Sequence, residues 1–186
     1  MSRFFTFVAC LVFCVALGNG VFAQSAEQKT QNLIAALSKT KYKKKEKGSV
    51  SIELYVDVRS EAVVKNNIRE YAGVYQSSAA DYRIELRIAG DGKVEGDGCD
   101  AEFNAAQKLN FTLKDARIEG ALLTATKVYA DGSTKKLEAV FNNRIVIEGK
   151  NPNEINSRET KYGLSFIDSW GTITNKVFLE FESRTN

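Results

Sequence analysis

Carboxylates, serines and lysines are the residues left to do chemistry in this chain, because histidine is absent from all 186 positions. Without an imidazole there is no Ser-His or Cys-His nucleophile pair, no common His-based zinc site, and no ordinary general base near neutral pH. Ser133-Thr134-Lys135-Lys136 and Ser38-Lys39-Thr40-Lys41 both fit Ser-x-x-Lys. Ser-Lys enzymes set that serine at a helix start beside further motifs, which this chain lacks, and Ser133 falls in a turn. Gly163-Leu164-Ser165-Phe166-Ile167 opens like a nucleophile elbow but has no closing glycine and reads as strand. Carboxylate pairs for glycoside hydrolysis depend on cross-strand spacing, so a carboxylate-based hydrolase stays as an alternative to the expected non-enzymatic role.

The acids of Asp91–Glu102 have partial calcium-loop spacing. Asp91, Gly96 and Glu102 match loop positions 1, 6 and 12, but Lys93 stands where an oxygen ligand is required. A looser oxygen site from Asp91, Glu95, Asp97 and Asp100 is the alternative to plain turn chemistry, which explains the same residues more simply. No cofactor or metal is expected. The lysines are concentrated: Lys39, Lys41, Lys43, Lys44, Lys45 and Lys47 fall within nine residues with one glutamate, Glu46. They read as a solvated helix end and linker, or as an electrostatic foot on an anionic envelope surface.

These residues sit in an exported chain. Arg3, the uncharged apolar run Phe4–Leu17, and Val21-Phe22-Ala23 before Gln24 have the layout of a signal peptide over residues 1–23. Its removal leaves 163 of 186 residues, enough for one domain with a real core, and takes Cys10 and Cys14 with it. Cys99 then has no internal disulfide partner and reads as a small residue near a turn. Elsewhere no stretch is apolar enough to span a bilayer, so a periplasmic or secreted location follows. Lys+Arg total 26 against 23 Asp+Glu, and Arg3 leaves with the signal. That balance excludes a typical nucleic-acid-binding domain.

Residues 24–48 read as an N-terminal helix and lysine-rich linker, and 49–186 as a single β domain. Ser25 and Gln28 form a capping box, and Leu33, Ile34 and Leu37 recur at helical spacing, predicting a helix from Ala26 to about Ser38. Its C-terminal carbonyls would attract the lysines. Val50, Ile52, Leu54, Val56 and Val58 alternate with polar residues, predicting a strand with one wet face. Ser60–Glu70 suits a short helix or irregular crossing.

The pattern then becomes a series of strands. Gly73-Val74-Tyr75 is short, Tyr82–Ile88 alternates strictly, and Ala89–Lys93 makes a hairpin into Val94. Gly96 and Gly98 predict a bulge or bend. Leu109, Phe111 and Leu113 share a face before an expected turn at Lys114-Asp115, and Arg117–Tyr129 reads as one long strand. After a turn at Ala130–Ser133, Leu137, Ala139 and Phe141 alternate toward an expected hairpin at Asn142-Asn143. Gly149–Lys161 reads as a polar loop containing Pro152, and loops of that length are often lids or binding loops. Tyr162–Ile167 and Lys176–Phe181 close the chain, with Trp170-Gly171 between them. About nine or ten strands joined by short turns imply a mainly β antiparallel meander, closed as a barrel or half-barrel, or alternatively folded as a sandwich.

Glu70-Tyr71-Ala72-Gly73-Val74-Tyr75 resembles the start of the first barrel strand in lipocalin-like proteins, with Tyr75 where tryptophan is usual. The resemblance implies an eight-stranded barrel whose interior holds a small apolar or amphipathic ligand. Pro152 and Trp170 are then candidate mouth residues. The competing expectation is a structural or interaction module of the cell envelope with a filled core.

Overall fold

The computed structural model describes residues 24–47, 50–79, 81–101, 108–170 and 172–183; the proposed signal peptide, 1–23, lies outside them. One helix, α1 (Ala26–Leu37), precedes β1 (Lys39–Lys47) and β2 (Val50–Ala62), and a 3-10 turn (Ile68–Tyr71) follows. Eight further strands complete the described chain: β3 (Gly73–Gln76), β4 (Arg83–Ile88), β5 (Val94–Ala101), β6 (Lys108–Glu119), β7 (Leu122–Tyr129), β8 (Thr134–Asn151), β9 (Glu154–Trp170) and β10 (Ile173–Ser183). All pair antiparallel in the order β1-β2-β8-β7-β6-β5-β4-β3-β10-β9, and a β8–β9 ladder joins the ends of the β3–β10 set. The result is a closed eight-stranded up-and-down barrel, with β1 and β2 outside it as an added hairpin.

The two longest strands build that extension. β8 pairs with β7 from Thr134 to Val140, then passes to β2 from Asn142 to Gly149, while β9 follows its other edge from Ala139 to Asn151. Asn142-Asn143 is therefore strand interior and not a hairpin. Asn142 instead lies fully buried, between Ala62 and Gly163 in the register, with neither amide atom hydrogen-bonded among the described residues. Gly149–Lys161 is likewise no loop. Pro152 occupies a two-residue turn at the tip of the β8–β9 hairpin, where Asn151 accepts a hydrogen bond from the Asn153 amide at 2.9 Å. Polar composition misleads there because β9 is the outer edge of the β1-β2-β8-β9 extension, where residues 154–160 are exposed and need no apolar alternate.

Other turns move by a few residues. The expected turn at Lys114-Asp115 is a bulge within β6, where the register shifts and Asp115 adopts a φ of 53°. The expected long strand at Arg117–Tyr129 divides instead at Gly120, whose φ of 60° suits a tight β6–β7 turn. Gly96 and Gly98 leave the β4–β5 and β5–β6 registers unbroken. A side chain at Gly98 would collide with the Arg83 carbonyl and the Phe111 ring, so these glycines permit close approach in a curved wall. Cys99 is buried in that strand as a free thiol, not beside a turn.

α1 docks on the outside of the barrel. The Ser25 side chain caps it by accepting from the Gln28 amide at 3.1 Å, while the Gln28 side chain bonds forward to Asn32 rather than back. Leu33, Ile34 and Leu37 pack on Ala121 and Val140, and Lys29 pairs with Glu138 at 2.5 Å. The helix stops at Leu37 with no basic residue in its last turn, so the lysines do not serve its carbonyls as a helix end. They form β1. The predicted wet face of β2 is absent over Tyr55–Val58, all four of which are buried. Thr40 and Arg59 hydrogen-bond Asp57 on one face, and Val58 faces Leu37 across a cleft on the other.

Candidate functional site

Seen from the residues upward, the barrel interior consists of three packed layers. At one end Tyr71 and Tyr75 meet Phe141, with ring centroids 4.2 Å and 5.7 Å away, and Tyr162 and Phe181 pack alongside. Tyr71 closes this end: its hydroxyl donates to the Gly120 carbonyl and accepts from the Lys65 amide, each at 2.7 Å. The Tyr75 hydroxyl donates to the Tyr71 carbonyl at 2.7 Å. Burial raises the pKa of both phenols, most strongly that of Tyr75. Gly73 is required at the start of this motif, since its φ of 152° and the adjacent Phe181 ring leave no room for a side chain.

Above the aromatic floor, Ile84, Leu86, Leu123, Ala125, Leu137, Ala139, Leu164 and Leu179 fill the middle. The third layer is ionic. Lys127 and Asp100, 1% and 0% exposed in their side chains, pair through both carboxylate oxygens at 2.6 and 2.8 Å. The Tyr129 hydroxyl donates to the same carboxylate at 2.6 Å. Lys127 also lies over the Phe111 and Phe166 rings, 4.6 and 4.8 Å from their centroids. Beside it Asp168 accepts from Lys135 and from the Tyr82 hydroxyl. Burial pushes the Lys127 ammonium down and the Asp100 charge opposes that shift, while burial and then Asp100 raise Tyr129.

The acids considered as a cation loop are separated by this arrangement. Asp91 accepts from the Lys93 amide, Glu95 pairs with Lys93 at 2.6 Å, Asp97 pairs with Arg87 at 2.7 Å, and Asp100 turns inward to Lys127. Among the described residues no group of three or more Cys, Asp or Glu is placed to hold a metal ion.

The outer wall carries the lysines. In β1 the pleat sorts them: Lys39, Lys41 and Lys43 lie opposite Val58, Val56 and Leu54, and so share one face, while Lys44 lies opposite Glu53 on the other. Positions 45 and 47 continue the alternation along the backbone, opposite Ile52 and Val50; their side chains are outside the described residues. β1 is an edge strand, and charged edge residues oppose further strand addition. Pro152 is remote from the barrel ends, at the hairpin tip. Trp170 ends β9 by pairing with Ile173 at the same barrel end as the ionic layer, and its side chain is also outside the described residues.

Lys127, Asp100 and Asp168 are buried charges on strands whose sequence pattern predicts solvent-facing ones. Charges on the clearest strands alternate with apolar residues as solvent-facing groups do. Yet Leu123, Ala125 and Lys127 share an alternate, as do Leu164, Phe166 and Asp168, and each apolar run ends on an opposite charge. That pattern was the available signal.

Eight antiparallel strands closed in sequence order define a small up-and-down β-barrel, consistent with a lipocalin-like architecture, with the Gly73-Val74-Tyr75 segment opening the first barrel strand. Comparison with protein-family models, curated proteins and solved structures finds no match to this chain.

Proposed function

We propose that this protein is an exported, non-enzymatic interaction module of the cell envelope, a filled barrel that engages an anionic surface through its outer wall. The observation that carries this reading is the occupied interior. Aromatic floor, aliphatic middle and ionic layer are each built from side chains that also support the fold, which leaves the exterior for partners. Lys39, Lys41 and Lys43 on one face of an edge strand suit anionic lipid headgroups, at up to about 1 kcal/mol per lysine near such a surface. The layout of residues 1–23 supports export. The absence of histidine, together with the engagement of Asp100 and Asp168 by lysines and tyrosines, supports a non-enzymatic role.

Native mass spectrometry of the purified protein tests the filled-interior reading. The expected spectrum is that of the bare polypeptide, with no thermal shift across a panel of fatty acids and lysolipids. A stoichiometric lipid-sized adduct would place the ligand inside the barrel and sink the reading.

A further inference from the structure

A cleft of about 390 Å³ opens on the outer wall where the end of α1, the start of β1, β2, β8, β9, β10 and the β3–β4 connection converge. Three cations line it from three strands: Lys39 of β1, Arg144 of β8 and Lys176 of β10. None of them forms an ion pair with a described carboxylate. Lys176 is held in place by donating to the Ala36 carbonyl at the end of α1, and the Arg144 guanidinium lies over the Phe178 ring, 5.5 Å from its centroid. Desolvation and then repulsion from Lys41, Lys176 and Arg144 lower the Lys39 pKa. Three like charges from three strands thus converge on one cleft without an ion pair to any carboxylate among the described residues.

The remaining lining suits an anion with an organic body. Ser60 and Ser165, 7% and 2% exposed, line the cleft, and their hydroxyls are committed to no hydrogen bond among the described residues. Ser77 and Ser78 approach from the β3–β4 connection, and Asp81 is the one acidic lining residue. Leu37, Val58, Val177 and Phe178 supply an apolar wall. Converging guanidinium, ammonium and hydroxyl donors match a tetrahedral oxyanion, and an arginine fork binds phosphate oxygens in pairs.

We infer that this cleft binds the phosphate group of an organic phosphate, with the organic portion against Leu37, Val58 and Phe178. The inference deepens the anionic-surface reading but rests on Arg144 and Lys176, which are not on the lysine strand. A soluble phosphate ester and a phospholipid headgroup share this chemistry. Calorimetric titration of the full protein with glycerol 3-phosphate and with dihexanoylphosphatidylglycerol below its micellar range separates them. Saturable one-site binding is expected, tighter for the ester if the ligand is soluble and tighter for the short-chain lipid if it is a headgroup. Arg144→Gln and Lys176→Gln should each weaken the preferred probe by about tenfold or more, the loss of a charge-assisted contact. Circular dichroism establishes that each variant is folded. Lys43→Gln, whose charge is not among those acting on Lys39 and which does not line the cleft, should leave these titrations unchanged while weakening vesicle association, so the two readings fail separately. Absence of saturable binding by either probe overturns the inference, as does binding that a folded Arg144→Gln variant leaves intact.

Discussion

Asp100→Ala is expected to destabilise the protein by about 3–5 kcal/mol, because it strands Lys127 as a buried charge without its partner. The environment of Lys127 offers little relief. Its side chain is 1% exposed, and its nearest neighbours besides Asp100 include the faces of Phe111 and Phe166. Tyr129 would lose its acceptor in the same step. Stabilities of this order are a large part of what a domain possesses, commonly about 5–15 kcal/mol. Asp100→Leu combined with Lys127→Met should recover most of the loss, since replacing both members of a buried pair is often neutral or better. Urea unfolding followed by far-UV circular dichroism measures both. A single variant within about 1 kcal/mol of the parent would contradict the buried-pair description.

Phe141→Ala is the second large effect, at about 3–5 kcal/mol for an aromatic side chain removed from a closed core. Phe141 is 0% exposed and is the ring against which both Tyr71 and Tyr75 rest. Tyr71 in turn ties the segment before the barrel to the β6–β7 turn through Lys65 and Gly120. Removal should therefore loosen that end of the barrel as well as lower global stability. Urea unfolding gives the first quantity, and faster amide exchange at Lys65, whose N–H the Tyr71 hydroxyl accepts, reports the second. Unfolding stability within about 1 kcal/mol of the parent, with unchanged exchange, would show that the floor does not depend on this ring.

Much of the barrel was legible because its strands bury one face and expose the other. Tyr82–Ile88, Leu137–Phe141 and the α1 stripe of Leu33, Ile34 and Leu37 all carry that signature, and each lies where its period predicts. Two elements depart from their sequence pattern for separate reasons. Where β9 runs as the outer edge of the β1-β2-β8-β9 extension, residues 154–160 are exposed and neither face needs to be apolar, so Gly149–Lys161 reads as a loop. The lysine run looked like a linker because lysine is a poor strand former, and pairing with the apolar β2 overrode that preference. The outer cleft could not be read in advance: Lys39, Arg144 and Lys176 are far apart in sequence, and only the return of β8 and β10 past α1 brings them together.

Recognition through the basic outer wall is the proposed role of Lys39, Lys41 and Lys43. Co-sedimentation with phosphatidylglycerol vesicles at low and at high ionic strength tests it most directly, because exposed lysine–headgroup attraction is screened by salt. The expected result is binding at low salt, release at high salt, and clear weakening by Lys41→Gln/Lys43→Gln. Salt-insensitive association, or none at low salt, would contradict it.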